Sequence, residues 1–306
     1  MHPHKQLVYE IACPPGTQYV GHINYSRWPA MELPGLIDVA SALDAAVQRP
    51  GFYDYTPFAK RNAVEWHVNF ADPHLFAAYS TSLLAQDELQ VLEHPALGSV
   101  KEAIESTGTM PLTVENGEPT PILLTGVERR CHFDTEPGEK RLHGLYGNEF
   151  AIASSEAIRL ATHRLEPPTI SNIIAMAAPA GGSGPYREAT LRHILTTAYT
   201  GFHAAVLESR RVRGRKGPVV VHTGFWGCGA YGGNRTIMAA LQVLAASMAG
   251  IHRLVFHTGE KTGARLFKQG KTLCKDELGI QEPVGTSEAL SILASLEYEW
   301  GVGNGT

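Results

Sequence analysis

The sequence has few cysteines, no long apolar run and no excess of positive charge, and each absence removes a class of function. Its four cysteines, Cys13, Cys131, Cys228 and Cys274, are spread over 306 residues. They form no CxxC pair, so neither a zinc knuckle nor a disulfide framework is indicated, and a reducing compartment fits. No stretch is long and apolar enough to cross a bilayer, and the start, Met1-His-Pro-His-Lys, is polar, without an apolar signal core. The expected location is cytoplasmic, or a host cytosol for an effector secreted without a cleaved signal. The formal net charge of -4 gives no global attraction to phosphate backbones, so an anionic ligand must be met by a local site. Direct nucleic-acid and membrane partners are therefore not expected. No metal-ligand spacing occurs either, and the sequence asks for no metal and no cofactor. What is present is ordinary core material: 43% of the residues are hydrophobic and 18% charged, the composition of a globular chain with one large domain or a domain with an arm.

Along the chain, the turn-rich stretches Ser106 to Pro121 and Pro179 to Pro185 read as loops. The first sixty residues hold one expected helix, Pro34 to Gln48, between Pro- and Gly-rich segments. They read as a helical lead-in, residues 1–57, packed on a main domain of residues 58–306. From Ala63 the pattern changes: Val64, Trp66, Val68 and Phe70 alternate with Glu65, His67 and Asn69, the period of a strand that ends at Ala71-Asp72-Pro73. Ile122 to Thr125, Ile173 to Met176, Val219 to Val221 and Leu254 to Phe256 are further short apolar runs, each closed by a turn signal. Leu191, Leu195, Ala198 and Phe202, and then Ile237, Leu241, Leu244 and Met248, recur at helical spacing. Strands alternating with helices predict an α/β layered sheet, whose ligands bind where loops leave the carboxyl ends of the strands. The loops to watch follow Phe70 and Val221.

After Val219-Val220-Val221 comes His222-Thr-Gly-Phe-Trp-Gly-Cys-Gly-Ala-Tyr-Gly-Gly-Asn234 and then a helix near Arg235. Glycines allow positive φ and close backbone approach, and the helix start adds a partial positive charge suited to a diphosphate. A glycine-rich turn of this kind also occurs as plain structure. It lacks the Gly-Lys-Ser/Thr ending of a P-loop, and it lies too late, without a following acid, for a Rossmann fingerprint. Cys228 has two readings: a nucleophile, or a small residue filling the space under the loop. The sequence assigns it no base. His222 and His257 fall at strand ends and read as structural or supporting residues.

Two adjacent acids, Asp87 and Glu88, open an expected helix after Gln86. Acids in a first turn complement the helix dipole, so a solvated cap is one reading. The other is chemical: cleaving a glycosidic bond needs an acid for the leaving atom and a base for water, and adjacent carboxylates raise one another's proton affinity. Glu88 then alternates between acid and base while Asp87 orients a ribose.

Read together, these two pieces resemble the poly(ADP-ribose) glycohydrolases. Gly224-Phe-Trp-Gly-Cys-Gly-Ala-Tyr-Gly-Gly-Asn234 is similar to the family's Gly-Asn-Trp-Gly-Cys-Gly-Ala-Phe-Gly-Gly-Asp, and Val68-Asn-Phe-Ala-Asp72 leading to Gln86-Asp87-Glu88 is similar to its Val-Asp-Phe-Ala-Asn leading to Gln-Glu-Glu. Leu124-Thr-Gly-Val-Glu128, Gly144-Leu-Tyr-Gly147 and Thr197-Ala-Tyr-Thr-Gly-Phe202 agree with further family segments, so the resemblance spans roughly Phe58 to Gly259. It implies a macrodomain-like mixed sheet between helices. It also implies Glu88 as the catalytic glutamate, Asp87 as its ribose-positioning neighbour and Tyr146 as the adenine platform, which residue type and position alone would leave an ordinary half-buried tyrosine. Gly227, Cys228, Gly229, Ala230, Tyr231, Gly232 and Gly233 become the diphosphate loop, with Asn69, Asp72 and Gln86 as further ligand contacts.

The departures carry information too. The family's triple glycine is replaced by Ala77-Ala78-Tyr79, its first glutamate by Asp87, and Asn69 and Asp72 stand where it has Asp and Asn. Added bulk at that turn points away from a second ADP-ribose unit, which keeps a hydrolase of mono-ADP-ribosyl-arginine protein beside one of poly(ADP-ribose). A reader that binds ADP-ribose without chemistry and a nucleotide-sugar or NAD-processing enzyme are the remaining alternatives. The expected partners are ADP-ribose and ADP-ribosylated proteins, and the expected state is a monomer. The basic stretch Arg210-Arg211-Val-Arg213-Gly-Arg215-Lys216 reads either as a solvated loop or as a contact for a polyanion or acidic partner.

Overall fold

From the N-terminus, the chain runs through α1 (Pro3–Ala12), β1 (Asn24–Arg27), β2 (Leu36–Ile37), α2 (Val39–Ala45), β3 (Ala46–Arg49), β4 (Val64–Ala71), α3 (Gln86–Glu93) and α4 (Ala96–Ser106). It continues through β5 (Val114–Glu115), β6 (Glu118–Pro119), β7 (Ile122–Phe133), α5 (Glu149–Ile152), α6 (Ser155–Ala161), β8 (Thr162–Ala177) and α7 (Glu188–Arg213). The last elements are β9 (Val219–Thr223), α8 (Arg235–Ala249), β10 (Arg253–His257), α9 (Lys261–Leu278), β11 (Val284–Gly285) and α10 (Thr286–Ser295). The structure is a computed structural model that describes residues 1–59, 62–213 and 217–304. Part of the basic stretch, Gly214 to Lys216, lies outside the described residues.

Seven strands form one mixed sheet in the order β1-β7-β8-β4-β9-β10-β3. From β8 to β3 the neighbours run parallel, while β7 is antiparallel to both β1 and β8. Parallel strands need helical crossovers and are covered on both faces, which is why Ile173 to Ala177, Val219 to Val221 and Leu254 to Phe256 are continuous apolar runs, whereas β4 alternates. Trp66, Val68, Ile174, Met176 and Val221 point into one core with α7, α8 and α9, whereas Ala71, Ile122, Leu124, Ile173 and Ala175 pack with Leu75, Phe76, Val91 and Leu97 on the other face. A third cluster joins Leu7 and Val8 of α1 to Leu84, Leu92, Phe133 and Phe150. Trp66 is fully buried and its indole N–H donates to Ser209 Oγ at 2.9 Å, which removes the cost of burying that polar group.

The strand run from Val64, the runs at Ile122, Ile173, Val219 and Leu254, and both helical repeats appear as elements at or around the expected positions. The first 57 residues differ from the expected helical lead-in. They supply both edge strands of the sheet, β1 pairing with β7 and β3 with β10, so the sheet is incomplete without them. The helix expected over Pro34 to Gln48 is shorter. Asp38 caps it, accepting from Ser41 N at 2.9 Å, and the chain leaves it at Ala46 because Ala46 to Arg49 are held in register with Leu254 to His257. Inside the expected loop before Pro121 lies a small hairpin, β5–β6. Its turn residues Asn116 and Gly117 have φ of 54° and 82°, the left-handed pair that an Asn-Gly turn accepts.

Candidate active site

α3 sets the position of the acid pair because both of its ends are tied down. At its start, Gln86 accepts from Phe70 N at 2.7 Å through Oε1 and donates to Val68 O at 3.2 Å through Nε2, which fastens the helix to the carboxyl end of β4. At its far end, Glu93 pairs with Arg129 of β7 at 2.8 Å, and His94 lies 2.8 Å from Gln90 O and 3.0 Å from Ser171 Oγ. Asp87 and Glu88 are only 6% and 4% exposed, so the pair is not a solvated cap. Glu88 Oε2 accepts from Ala85 N at 2.9 Å, the return half of a capping box, and Asp87 Oδ1 accepts from Asn69 Nδ2 at 3.0 Å. Burial, and then the charge of Glu88, raise Asp87 well above the usual carboxylate range. Burial also raises Glu88, opposed by backbone N–H groups and by the charge of Lys5. The pair therefore keeps a proton to higher pH than an isolated carboxyl group would.

The glycine loop leaves β9 and folds back on itself. Cys228 N donates to Phe225 O at 3.0 Å, Gly232 N to Gly229 O at 3.1 Å and Gly233 N to Gly227 O at 2.9 Å. Gly227 has φ 73°, and a side-chain carbon there would run into Ala178; one at Gly233 would stand 2.7 Å from Gly227 O. Both positions thus require glycine. Asn234 then caps α8, accepting from Thr236 N at 3.1 Å. Among the described residues, the amide N–H groups of Gly229, Ala230 and Tyr231 have no protein acceptor. Unpaired backbone N–H groups of this kind are donors that an anion can take.

These two pieces meet. A cleft of about 180 Å³ is lined by Asp72, Gln86, Asp87, Glu88, Tyr146, Gly227, Gly229, Ala230 and Tyr231, together with Phe70, Ala77, Ala78 and Trp226. Tyr231 donates to Asp72 Oδ2 at 3.0 Å and so ties the loop to the end of β4. Tyr146 is 42% exposed, but its hydroxyl is turned inward, where burial and the charge of Glu88 push its pKa up to about 12. Its exposed surface leaves the ring accessible to a stacking partner.

Four expected ligand residues do not line the cleft. Asn69 is fully buried behind it, holding Asp87. Cys228 packs into the core under the loop, its Sγ 3.5 Å from Trp226 O and its thiol pKa raised by burial, which suits a spacer and not a nucleophile. Gly232 faces the segment near the C-terminal end, where Gly301 N donates to Gly232 O at 2.8 Å, and Gly233 packs against Gly227 and Met238. His222 and His257 are also away from the cleft, bonded to one another at 3.0 Å, with His222 on Glu65 at 2.8 Å. Lining residues that the sequence did not mark include Trp226, whose indole N–H donates to Met176 O at 2.9 Å, while Ala77 and Ala78, marked there as added bulk, line the cleft as well. Trp226 lay inside the quoted glycine motif, and that position was its available signal. Among the described residues, no group of three or more His, Cys, Asp or Glu side chains is placed to hold a metal ion, and no helix is long and apolar enough to cross a membrane.

Residues 141–265 match the family described as Poly (ADP-ribose) glycohydrolase (PARG), Macro domain fold. The match contains Tyr146 and the whole glycine loop and stops short of the acid pair. Among solved structures, the chain is similar to poly(ADP-ribose) glycohydrolase bound to the inhibitor ADP-HPD from Thermomonospora curvata, at 15% identity, covering 88% of this chain and 99% of that one with a TM-score of 0.48. It is also similar to poly(ADP-ribose) glycohydrolase from Deinococcus radiodurans in complex with ADP-ribose, at 15% identity over 78% of this chain and 91% of that one, with a TM-score of 0.40. No curated protein matches the chain. The mixed sheet between helices, with a glycine loop after β9, agrees with the macro domain fold named in that family description. Over residues 141–265 the chain is similar to the poly(ADP-ribose) glycohydrolase family.

Proposed function

We propose that this chain is an ADP-ribose glycohydrolase that cleaves the ribosyl bond of an ADP-ribosylated protein or of poly(ADP-ribose). One observation carries the reading: a buried carboxylate pair and a loop with unspent amide N–H groups line the same cleft. The free amides of the glycine loop bind the diphosphate, and Tyr146 stacks on the adenine. Asp87, held by Asn69, fixes the ribose bearing the scissile bond. Glu88 gives its proton to the leaving oxygen or nitrogen as the bond to the anomeric carbon breaks. The resulting carboxylate then takes a proton from the water that attacks that carbon, so the residue returns to its starting state and the products are free ADP-ribose and the aglycone.

Ala77 and Ala78 favour a restricted substrate, because they line the cleft where the resemblance has glycines. A bulkier turn leaves less room for a second ADP-ribose unit and suits a single ADP-ribose on a protein side chain, arginine included. Release of free ADP-ribose from poly(ADP-ribose), ADP-ribosyl-serine protein and ADP-ribosyl-arginine protein, assayed side by side, tests both levels of the reading. Glu88→Gln is expected to lower turnover by about 10²–10⁴-fold while calorimetric affinity for ADP-ribose survives. Wild-type turnover in that variant ends the assignment of Glu88, equal rates on all three substrates end the role given to the turn, and tight binding without any product identifies a reader.

A further inference from the structure

α1 carries a lysine into the wall of the candidate active site. Lys5 is 0% exposed, and its ammonium donates to the backbone carbonyl of Ala78 at 3.2 Å. Ala78 lines the cleft beside Glu88. An ammonium has three donors, and no carboxylate stands within ion-pair distance of this one among the described residues. A buried cation without a partner is costly, so its surroundings are expected to answer its charge. The answering groups are Glu88 and then Asp87, which act against the burial that lowers the Lys5 pKa to about 8. The lysine is also held in place. His2 N donates to Ser80 O at 2.8 Å, His4 Nδ1 lies 2.9 Å from Phe150 O, and Leu7 and Val8 are packed with Leu84 and Leu92.

We propose that Lys5 is a positioning residue for the Asp87–Glu88 pair, fixing the turn at residues 77–79 and supplying the positive charge against which the pair holds a single proton. The proposal rests on the reading of Glu88 as the acid and base. The groups facing Glu88 come from every element around it: Lys5 from α1, Asp72 from the end of β4, Asp87 from α3, Tyr146 from the segment before α5 and Tyr231 from the glycine loop. The backbone N–H groups of Ala85 and Glu88 add partial positive charge. Lys5 is the cation of that set, and His2 and His4 at the start of the same helix are the other titratable groups near it. Family motifs gave no sign of this residue, because it precedes the resembling segment by more than fifty positions.

The test is Lys5→Met in the full chain, which keeps the length and apolar stem while removing the charge. Removing a nearby cation disfavours the charged carboxylates, so both limbs of the pH profile of kcat/KM for ADP-ribose release are expected to move up by about one pH unit. A lower rate on an unshifted profile overturns the proposal, because a merely structural lysine leaves the limbs in place. Lys5→Gln repeats the measurement should the methionine variant fail to fold. Carbon-13 carboxyl NMR of Glu88, assigned with Glu88→Gln, separates this proposal from the reading it rests on. An upward-moving Glu88 titration in a protein that releases no ADP-ribose sinks the hydrolase and keeps the coupling; an unmoved titration in an active, Glu88-dependent enzyme sinks the coupling alone.

Discussion

His94 closes the helix that carries the acid pair, and this position makes a prediction about acid. It is fully buried, with its ring 2.8 Å from Gln90 O and 3.0 Å from Ser171 Oγ. Burial lowers its pKa to about 4, although Glu93 and the Gln90 carbonyl pull the other way. In the unfolded chain a histidine titrates near about 6.5. A depressed folded value means that the stabilisation is fully present above about pH 6.5 and is lost as the pH falls toward about 4, because protons bind the unfolded chain first. Between pH 7 and pH 5 the loss from this one ring is about 2 kcal/mol. For a chain of this length, that corresponds to about 3 °C in Tm. His94→Gln removes the titrating group and keeps a side chain able to hydrogen-bond. The variant is less stable at pH 7, and that difference is not the test. The test is the change in unfolding free energy between pH 7 and pH 5, from urea melts at each pH, which is expected to be about 2 kcal/mol smaller in His94→Gln than in wild type. Asp87, Glu88, His67 and His257 are present in both proteins, so to first order their contributions cancel. Equal pH dependence in the two proteins refutes the reasoning.

Two further outcomes follow from the site. Tyr146→Ala is expected to weaken ADP-ribose binding by about tenfold or more, since a base stacked on an aromatic ring is worth ~1–3 kcal/mol, whereas Tyr146→Phe leaves calorimetric affinity nearly unchanged; equal losses in the two variants remove the stacking role. Asp87→Asn is expected to gain stability relative to wild type as the pH rises. The raised folded pKa of Asp87 makes the wild type lose stability from about pH 4 upward, where the unfolded carboxyl ionises first, and the amide has no such slope. Thermal melts at pH 4.5 and 7.5 check this, and parallel shifts at both values contradict it.

The parts of the fold legible in the sequence are those whose signal is local. Val64 to Phe70 alternates because one face of β4 meets α7 and α8 and the other meets α3, and α8 declares itself through Asn234 before it and Gly250, at φ 70°, after it. The edge strands β1 and β3 were not legible. Asn24-Tyr-Ser-Arg27 and Ala46-Val-Gln-Arg49 are four residues each, without a clear period, and they become strands only by pairing with partners about one hundred and two hundred residues further along. The acid pair was legible as a motif, but its burial was not, because what buries it is partly α1, whose Lys5 reads in sequence as an ordinary surface charge. Asn69 was expected at the ligand and instead stands behind Asp87. A strand residue's face follows from the period, but its distance from a cleft depends on the helix laid across it.

The turn at residues 77–79, where the resembling motif has glycines, is held from two sides. Tyr79 packs its ring against α4 so closely that a side-chain carbon at Gly98 would come within 2.9 Å of it, and its hydroxyl donates to Glu102 on the same helix. On the other side, Lys5 of α1 and His2, which caps that helix, donate to the carbonyls of Ala78 and Ser80. Phe76 enters the turn at φ 51°, a strained conformation for a side chain of that size, while its ring is fully buried with Leu75 and Val91. A glycine turn bends to whatever ligand arrives. This one is anchored to two helices, so any substrate restriction it imposes is steric and fixed, and returning Ala77 and Ala78 to glycine while keeping Tyr79 and Lys5 changes the bulk at the cleft without releasing those anchors.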